Sequence, residues 1–259
     1  MKLSSAIAFT ALLIATAAAL AGEIPADQRR SGYSFMAPET RAIQDDDSAN
    51  PGMLFVLDGE KLWTKKVGAA DKACTNCHGD AAESMKGVAA RYPAFDKTLG
   101  RPVNLEQRIN LCRANHQQAS PLAYESHDLL ALTGFVAKQS QRVAISTGDD
   151  PQLAPFVAEG RDLFMQRQGQ LNLSCANCHD DNWDRKLAGS AITQGHPTGY
   201  PLYRLEWQTL GSLERRLRSC ISGIRAQPYD YGAPELVELE LYLMSRARGM
   251  PMESPAVRP

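Results

Sequence analysis

The chain has 259 residues, 44% hydrophobic and 22% charged, with 28 basic against 29 acidic side chains and a formal net charge of −1. This is the composition of a globular protein; it excludes disorder, collagen and coiled coil, and the near-neutral balance argues against a nucleic-acid partner. Only 7% of residues are aromatic, so a core of this size calls for some other large, flat filler.

The first predicted element is Leu3 to Ala21, the only sustained apolar run, preceded by Lys2 and closed by Ala19-Leu20-Ala21. It reads as a cleaved secretory signal over residues 1–21, which predicts a periplasmic mature protein with no membrane span. Residues 22–50, polar and ending in Asp45-Asp46-Asp47, read as an extended arm packed over the first domain. That domain, 51–150, contains Cys74-Thr75-Asn76-Cys77-His78 and ends in Gly148-Asp149-Asp150-Pro151, a turn-forming linker. The second domain, 151–259, contains Cys175-Ala176-Asn177-Cys178-His179.

Both pentapeptides are C-x-x-C-H. In that pattern each thiol forms a thioether to a haem vinyl group, and the adjacent His is held under the iron as proximal ligand. Two such matches among six cysteines and five histidines predict two covalent haem c groups, on Cys74 and Cys77 with His78, and on Cys175 and Cys178 with His179. Structural zinc would want further ligands at finger-like spacing, and a thiol redox pair has no use for the His. Disulfides are the stronger rival in an exported chain.

The two halves also align with each other. Tyr92-Pro93 stands as far before Cys112 as Tyr200-Pro201 stands before Cys220, and Leu105-Glu106-Gln107-Arg108 matches Leu213-Glu214-Arg215-Arg216 without a gap. Asp128 to Gln141 then matches Glu235 to Gly249, both leucine-rich helical patterns. The expected fold is mainly α: two c-type cytochrome domains related by internal repeat.

Low-spin haem c usually takes Met or His as second axial ligand. The first half has no Met between Met85 and Met165, and Met85 follows His78 too closely to reach the other haem face easily. Cys112, His116 and His127 remain there, and Met244 competes in the second half. The repeat-equivalent Cys112 and Cys220 are therefore assigned as distal ligands, with a Cys112–Cys220 disulfide or buried free thiols as the plainer alternatives. Each lies on a predicted helix, with Leu105, Ile109 and Cys112, or Leu213, Leu217 and Cys220, on one face and Asn104 or Ser212 as N-cap. One turn before each sulfur is an Arg, Arg108 or Arg216, whose charge favours thiolate, or which bonds a haem propionate instead.

With Gln194-Gly195 through Gly199-Tyr200-Pro201, and the arm Glu39 to Asp47 running into Asn50-Pro51-Gly52-Met53, these features resemble SoxA, the larger subunit of the SoxAX cytochromes of bacterial sulfur oxidation. The resemblance spans essentially the whole mature chain, in its dihaem form. It implies L-cysteine S-thiosulfotransferase activity: thiosulfate is joined oxidatively to a cysteine of a SoxYZ-type carrier protein, and two electrons leave through haem to a smaller SoxX-type cytochrome. By position it implies that Cys220 is the haem-ligating catalytic cysteine, a persulfide in the family, and that Arg216 binds substrate. Arg offers a planar fork that suits a sulfur oxyanion. A dihaem electron carrier and a dihaem peroxidase are the rival readings. Anionic sulfur ligands disfavour the first by making poor electron acceptors, and occupied distal positions disfavour the second.

Overall fold

Each half of the chain is built on a helix with a glycine near its middle. The computed structural model describes residues 24–259; the signal reading of 1–21 lies outside them. Helix α1 (Pro38–Asp45) belongs to the arm. The first domain comprises α2 (Gly52–Thr64), the one-turn helices α3 (Thr75–His78) and α4 (Ala81–Ser84), the hairpin β1 (Ala94–Asp96) and β2 (Arg101–Val103), α5 (Leu105–Cys112) and α6 (His127–Lys138). The second comprises α7 (Ala154–Met165), α8 (Cys175–His179), a small hairpin β3 (Lys186–Leu187) and β4 (Ser190–Ala191), the hairpin β5 (Leu202–Arg204) and β6 (Thr209–Gly211), α9 (Leu213–Gly223) and α10 (Pro234–Arg246). A last strand, β7 (Ala256–Arg258), pairs in parallel with β5.

In each domain the first and last helices cross with their backbones touching. A Cβ on Gly59 would stand 2.1 Å from the Ala131 carbonyl oxygen, and one on Gly160 would stand 2.0 Å from that of Glu238. Only glycine allows so close a crossing. One turn later Trp63 and Phe164 are buried at corresponding points, each inside its own apolar cluster. The repeat therefore begins before the C-x-x-C-H motifs, in the pair Val56-Leu-Asp-Gly59 and Val157-Ala-Glu-Gly160.

The predicted caps are formed. Asn104 accepts from Gln107 N at 2.9 Å in a full capping box, and Ser212 Oγ accepts from Arg215 N at 3.1 Å. Satisfying these first-turn N–H groups fixes where α5 and α9 begin. The two N-termini meet at the domain interface: Asn104 Nδ2 donates to Glu214 at 2.9 Å and Glu240 at 3.3 Å, Gln107 Nε2 donates to the Gly232 carbonyl, and Tyr124 stacks on Tyr231. Burial pushes the carboxyl of Glu106 up to about 8 and that of Glu214 to about 7, and raises Glu240 well above the usual range. Met244, although on α10, packs with Leu105, Ile145 and Met252 in the first domain's core.

The arm departs from expectation in two ways. It is partly helical, and it lies mainly against the second domain. Arg30 N donates to Gln194 Oε1 at 2.6 Å, Val257 N donates to Gln44 Oε1 at 3.1 Å, and Asn50 Nδ2 donates to the Pro255 carbonyl at 2.9 Å. The ion pair of Asp47 with Lys138 is its tie to the first domain's α6. A polar segment carries no apolar period to reveal which surface it covers, whereas buried amide side chains such as Gln44 and Gln194 must find partners wherever the fold offers them.

Candidate active site

Each C-x-x-C-H motif forms a single helical turn, so the two thiols and the imidazole project from one short rigid piece. In the second domain Ser174 and Asn177 close a capping box around it. His179 Nδ1 lies 2.7 Å from the Thr193 carbonyl oxygen. A carbonyl only accepts, so Nδ1 carries a proton; the ring's bond to Cys220 then uses Nε2, which would give up its own proton to ligate a metal. Gly195, at φ +75°, lets this loop lie against the ring; a Cβ there would be 3.2 Å from His179 Cγ. Between the proximal histidine and Tyr-Pro this loop is longer in the second domain than in the first. It serves as the orienting support of the histidine.

The leftover cysteines lie beside their own motifs and not beside each other. All six cysteines are free. Cys112 is within electrostatic reach of Cys74 and Cys77, and Cys220 of Cys175 and Cys178. A Cys112–Cys220 disulfide is thus absent. The competing ligand candidates are elsewhere: Met244 faces the interdomain core, His127 packs on Phe55 with its ring centroid 4.8 Å away, and His116 is exposed. By donor set, the two thiols, the imidazole and the additional sulfur gathered in each domain fit a covalently attached haem. Leu217 and Ile221, with Tyr200, belong to the apolar cluster against which Cys175 packs.

The two sulfurs nevertheless sit in unlike surroundings. Burial pushes the Cys112 thiol up, with only partial relief from Arg108. Burial acts on Cys220 too, but a hydrogen bond with His179 and the charge of Arg216, with a smaller contribution from Arg204, bring it below the ordinary thiol value. The larger source is the His179 bond, which Cys112 lacks, and the arginines differ as well. Arg108 Nη2 is bound to Asp96 Oδ2 at 2.5 Å, and that carboxylate also accepts from the backbone of Thr98 and Leu99. Arg216 has no carboxylate within ion-pair distance among the described residues. One guanidinium is neutralised; the other faces its sulfur uncompensated.

Sequence reading missed several supporting residues. Asp180, directly after His179, forms an ion pair with Arg246 at 2.6 Å, with side-chain exposures of 9% and 4%, and Arg246 also lies over the Phe164 ring at 4.5 Å. Breaking one half of such a pair strands a buried charge. Burial lowers His196 to about 4, so it stays neutral beside the arm's Arg30 carbonyl. Among the described residues no helix is long and apolar enough to cross a membrane.

Comparison with known proteins agrees with this geometry. The sequence profile of the SoxA/TsdA cytochrome c domain matches residues 58–145 and again 159–252. The L-cysteine S-thiosulfotransferase subunit SoxA of Pseudaminobacter salicylatoxidans is 38% identical over 247 residues, covering 95% of this chain and 86% of that protein. The corresponding subunit of Rhodovulum sulfidophilum is 36% identical over 232 residues, covering 90% and 81%. The crystal structure of SoxXA from P. pantotrophus superimposes with a TM-score of 0.86 at 30% identity, over 89% of this chain and 87% of that one. Duplicated profile, full-length kinship and shared fold converge on one conclusion: the chain belongs to the SoxA family of c-type cytochromes.

Proposed function

We propose that this protein is the dihaem catalytic subunit of an L-cysteine S-thiosulfotransferase. It works in the periplasm after removal of residues 1–21, with its first cytochrome domain at 51–150 and its catalytic domain at 151–259. A carrier-protein thiol and thiosulfate combine into a carrier S–S–sulfonate, releasing one proton and two electrons. The haem groups, when bound, supply the electron-accepting centres, and a SoxX-type small cytochrome takes the electrons onward. Cys74 and Cys77, and Cys175 and Cys178, would hold the haems covalently, and His78 with Cys112, and His179 with Cys220, would ligate their irons.

The observation that carries this reading is the uncompensated Arg216 one helical turn before Cys220, where the repeat-equivalent Arg108 is sealed by Asp96. A half-buried guanidinium without a carboxylate partner is a ready seat for an oxyanion. Its fork orients the sulfonate end, which directs the outer sulfur of thiosulfate toward Cys220. The Thr193 carbonyl fixes the plane of His179, so the imidazole holds its face to the site without reorganisation. The fit of the chain to a SoxXA structure supports the small-cytochrome partner. The test is anaerobic incubation of the purified protein with a SoxX-type cytochrome, thiosulfate and a SoxYZ-type carrier. Mass spectrometry should find the carrier cysteine bearing thiosulfate while the cytochrome is reduced; an unmodified carrier sinks the reading.

A further inference from the structure

The repeat that equates Arg108 with Arg216 also equates the residues facing them. Tyr92-Pro93-Ala94-Phe95-Asp96 corresponds to Tyr200-Pro201-Leu202-Tyr203-Arg204. The hairpins share one register: Asp96 pairs with Arg101 at the end of β1, and Arg204 pairs with Thr209 at the end of β5. In the first domain the side chain at this position reaches the helix arginine, since Asp96 binds Arg108 at 2.5 Å. The second domain places a guanidinium where the first has that carboxylate.

Arg204 is built into its place. Its side chain is only 16% exposed, its Nε donates to Glu206 at 2.9 Å, and its guanidinium lies 5.3 Å from the Trp207 ring centre. Arg215 covers the same indole at 4.2 Å and turns toward Glu125. Glu206 takes the Nε edge of Arg204, and the two terminal nitrogens are left for another acceptor. Tyr200, two residues before this strand, lies within electrostatic reach of Arg216, Cys220 and Arg204 together. Two like charges gathered at one partly buried sulfur repel each other unless an anion comes between them.

We propose that Arg204 is a second anion anchor of the Cys220 site, which holds the sulfonate end of thiosulfate between the guanidinium groups of Arg204 and Arg216. The pair selects a sulfur dianion, and Asp96 withholds this property from the first domain. The inference deepens the functional reading above and rests on it. Arg204 acts on substrate binding and orientation, so its loss raises KM more than it lowers kcat.

The experiment titrates the oxidised holoprotein with thiosulfate by isothermal calorimetry and measures KM and kcat for carrier modification in parallel. Wild type, Arg204→Gln, Arg204→Lys and Arg204→Asp are compared, each verified for haem content, absorption spectrum and midpoint potentials. Expected are one thiosulfate per wild-type chain, affinity lowered at least tenfold in Arg204→Gln, further loss in Arg204→Asp, and substantial recovery in Arg204→Lys. Wild-type affinity in Arg204→Gln overturns the proposal. So does a shifted haem spectrum or potential with affinity unchanged, which would assign Arg204 to the haem carboxylates, and so does a wild type that binds no thiosulfate. If wild type binds thiosulfate, Arg204→Gln weakens it, and the carrier is never modified, the anion site stands and the proposed reaction falls.

Discussion

Replacing Arg216 with lysine separates charge from shape at the candidate site. Arg216 is one turn before Cys220 on α9, and no carboxylate among the described residues neutralises it. Lysine keeps the positive charge and loses the planar two-point grip, so one of two charge-assisted hydrogen bonds to the sulfonate disappears. Such a bond contributes ~1.5–3 kcal/mol, which corresponds to about one to two orders of magnitude in kcat/KM at ~1.4 kcal/mol per tenfold. The matched control is Arg108→Lys. Its partner Asp96 is held by Thr98 and Leu99 as well, and an ammonium can still reach that carboxylate, so turnover should stay within about threefold. The assay is the initial rate of carrier modification by both variants, after haem content and ligand spectra prove unchanged. Equal losses at Arg108 and Arg216 would mean that the two sites have been assigned the wrong roles, and no loss at Arg216 would remove it from the mechanism.

Other outcomes follow from the same geometry. Acid-acetone extraction of the denatured protein should leave both haems attached, and its mass should show two haem additions; a single addition means that one motif is unused. Electron paramagnetic resonance of the ferric protein should give His/thiolate signals, and Cys112→Ser and Cys220→Ser should each alter one set only. Because burial raises the carboxyls of Glu106 to about 8 and Glu214 to about 7, the folded state binds their protons more tightly than the unfolded chain. Their stabilisation is complete below the ordinary carboxylate range near 4.5 and is lost as pH rises through 7 to 8. Glu106→Gln should therefore flatten the fall in melting temperature between pH 5 and pH 9, and an unchanged slope would refute the assignment. Gly160→Ala should destabilise the second domain by about 2 kcal/mol or more, since its methyl meets the Glu238 carbonyl, a fixed backbone atom that cannot yield without parting α7 from α10.

Much of this organisation was legible in the sequence because it is written in local spacing. The C-x-x-C-H turns, the Asn104 and Ser212 caps and the helices leading to Cys112 and Cys220 depend on residues within one or two turns of each other. The repeat extended that local grammar by comparison of one half with the other. Comparison also holds the exchange of Asp96 for Arg204, yet its meaning was hidden, because only the hairpin register shows that the end of β1 touches Arg108. The carboxylates between the domains gave no warning either. Glu106 and Glu214 occupy the first turns of helices, where an acidic side chain is usual and solvated. Their burial follows from how two α5-type helices are set tip to tip. The arm was misplaced because most of its partners lie in the second domain, far along the chain.

The arm's contact with the end of the chain has a kinetic side. The bond from Val257 to Gln44 joins residues 213 positions apart, and Ala256 N donates to the Gly199 carbonyl, at the strand entrance beside Tyr200. Neither bond can form until residues 256 and 257 have emerged from the ribosome. The contact that holds Gly199 is therefore made only after both C-x-x-C-H segments have appeared. Closing so long a loop late is slow and entropically costly. It also leaves an interval in which both cysteine motifs are present while this contact is still unmade, and in that interval a haem-attachment apparatus would meet a looser second domain.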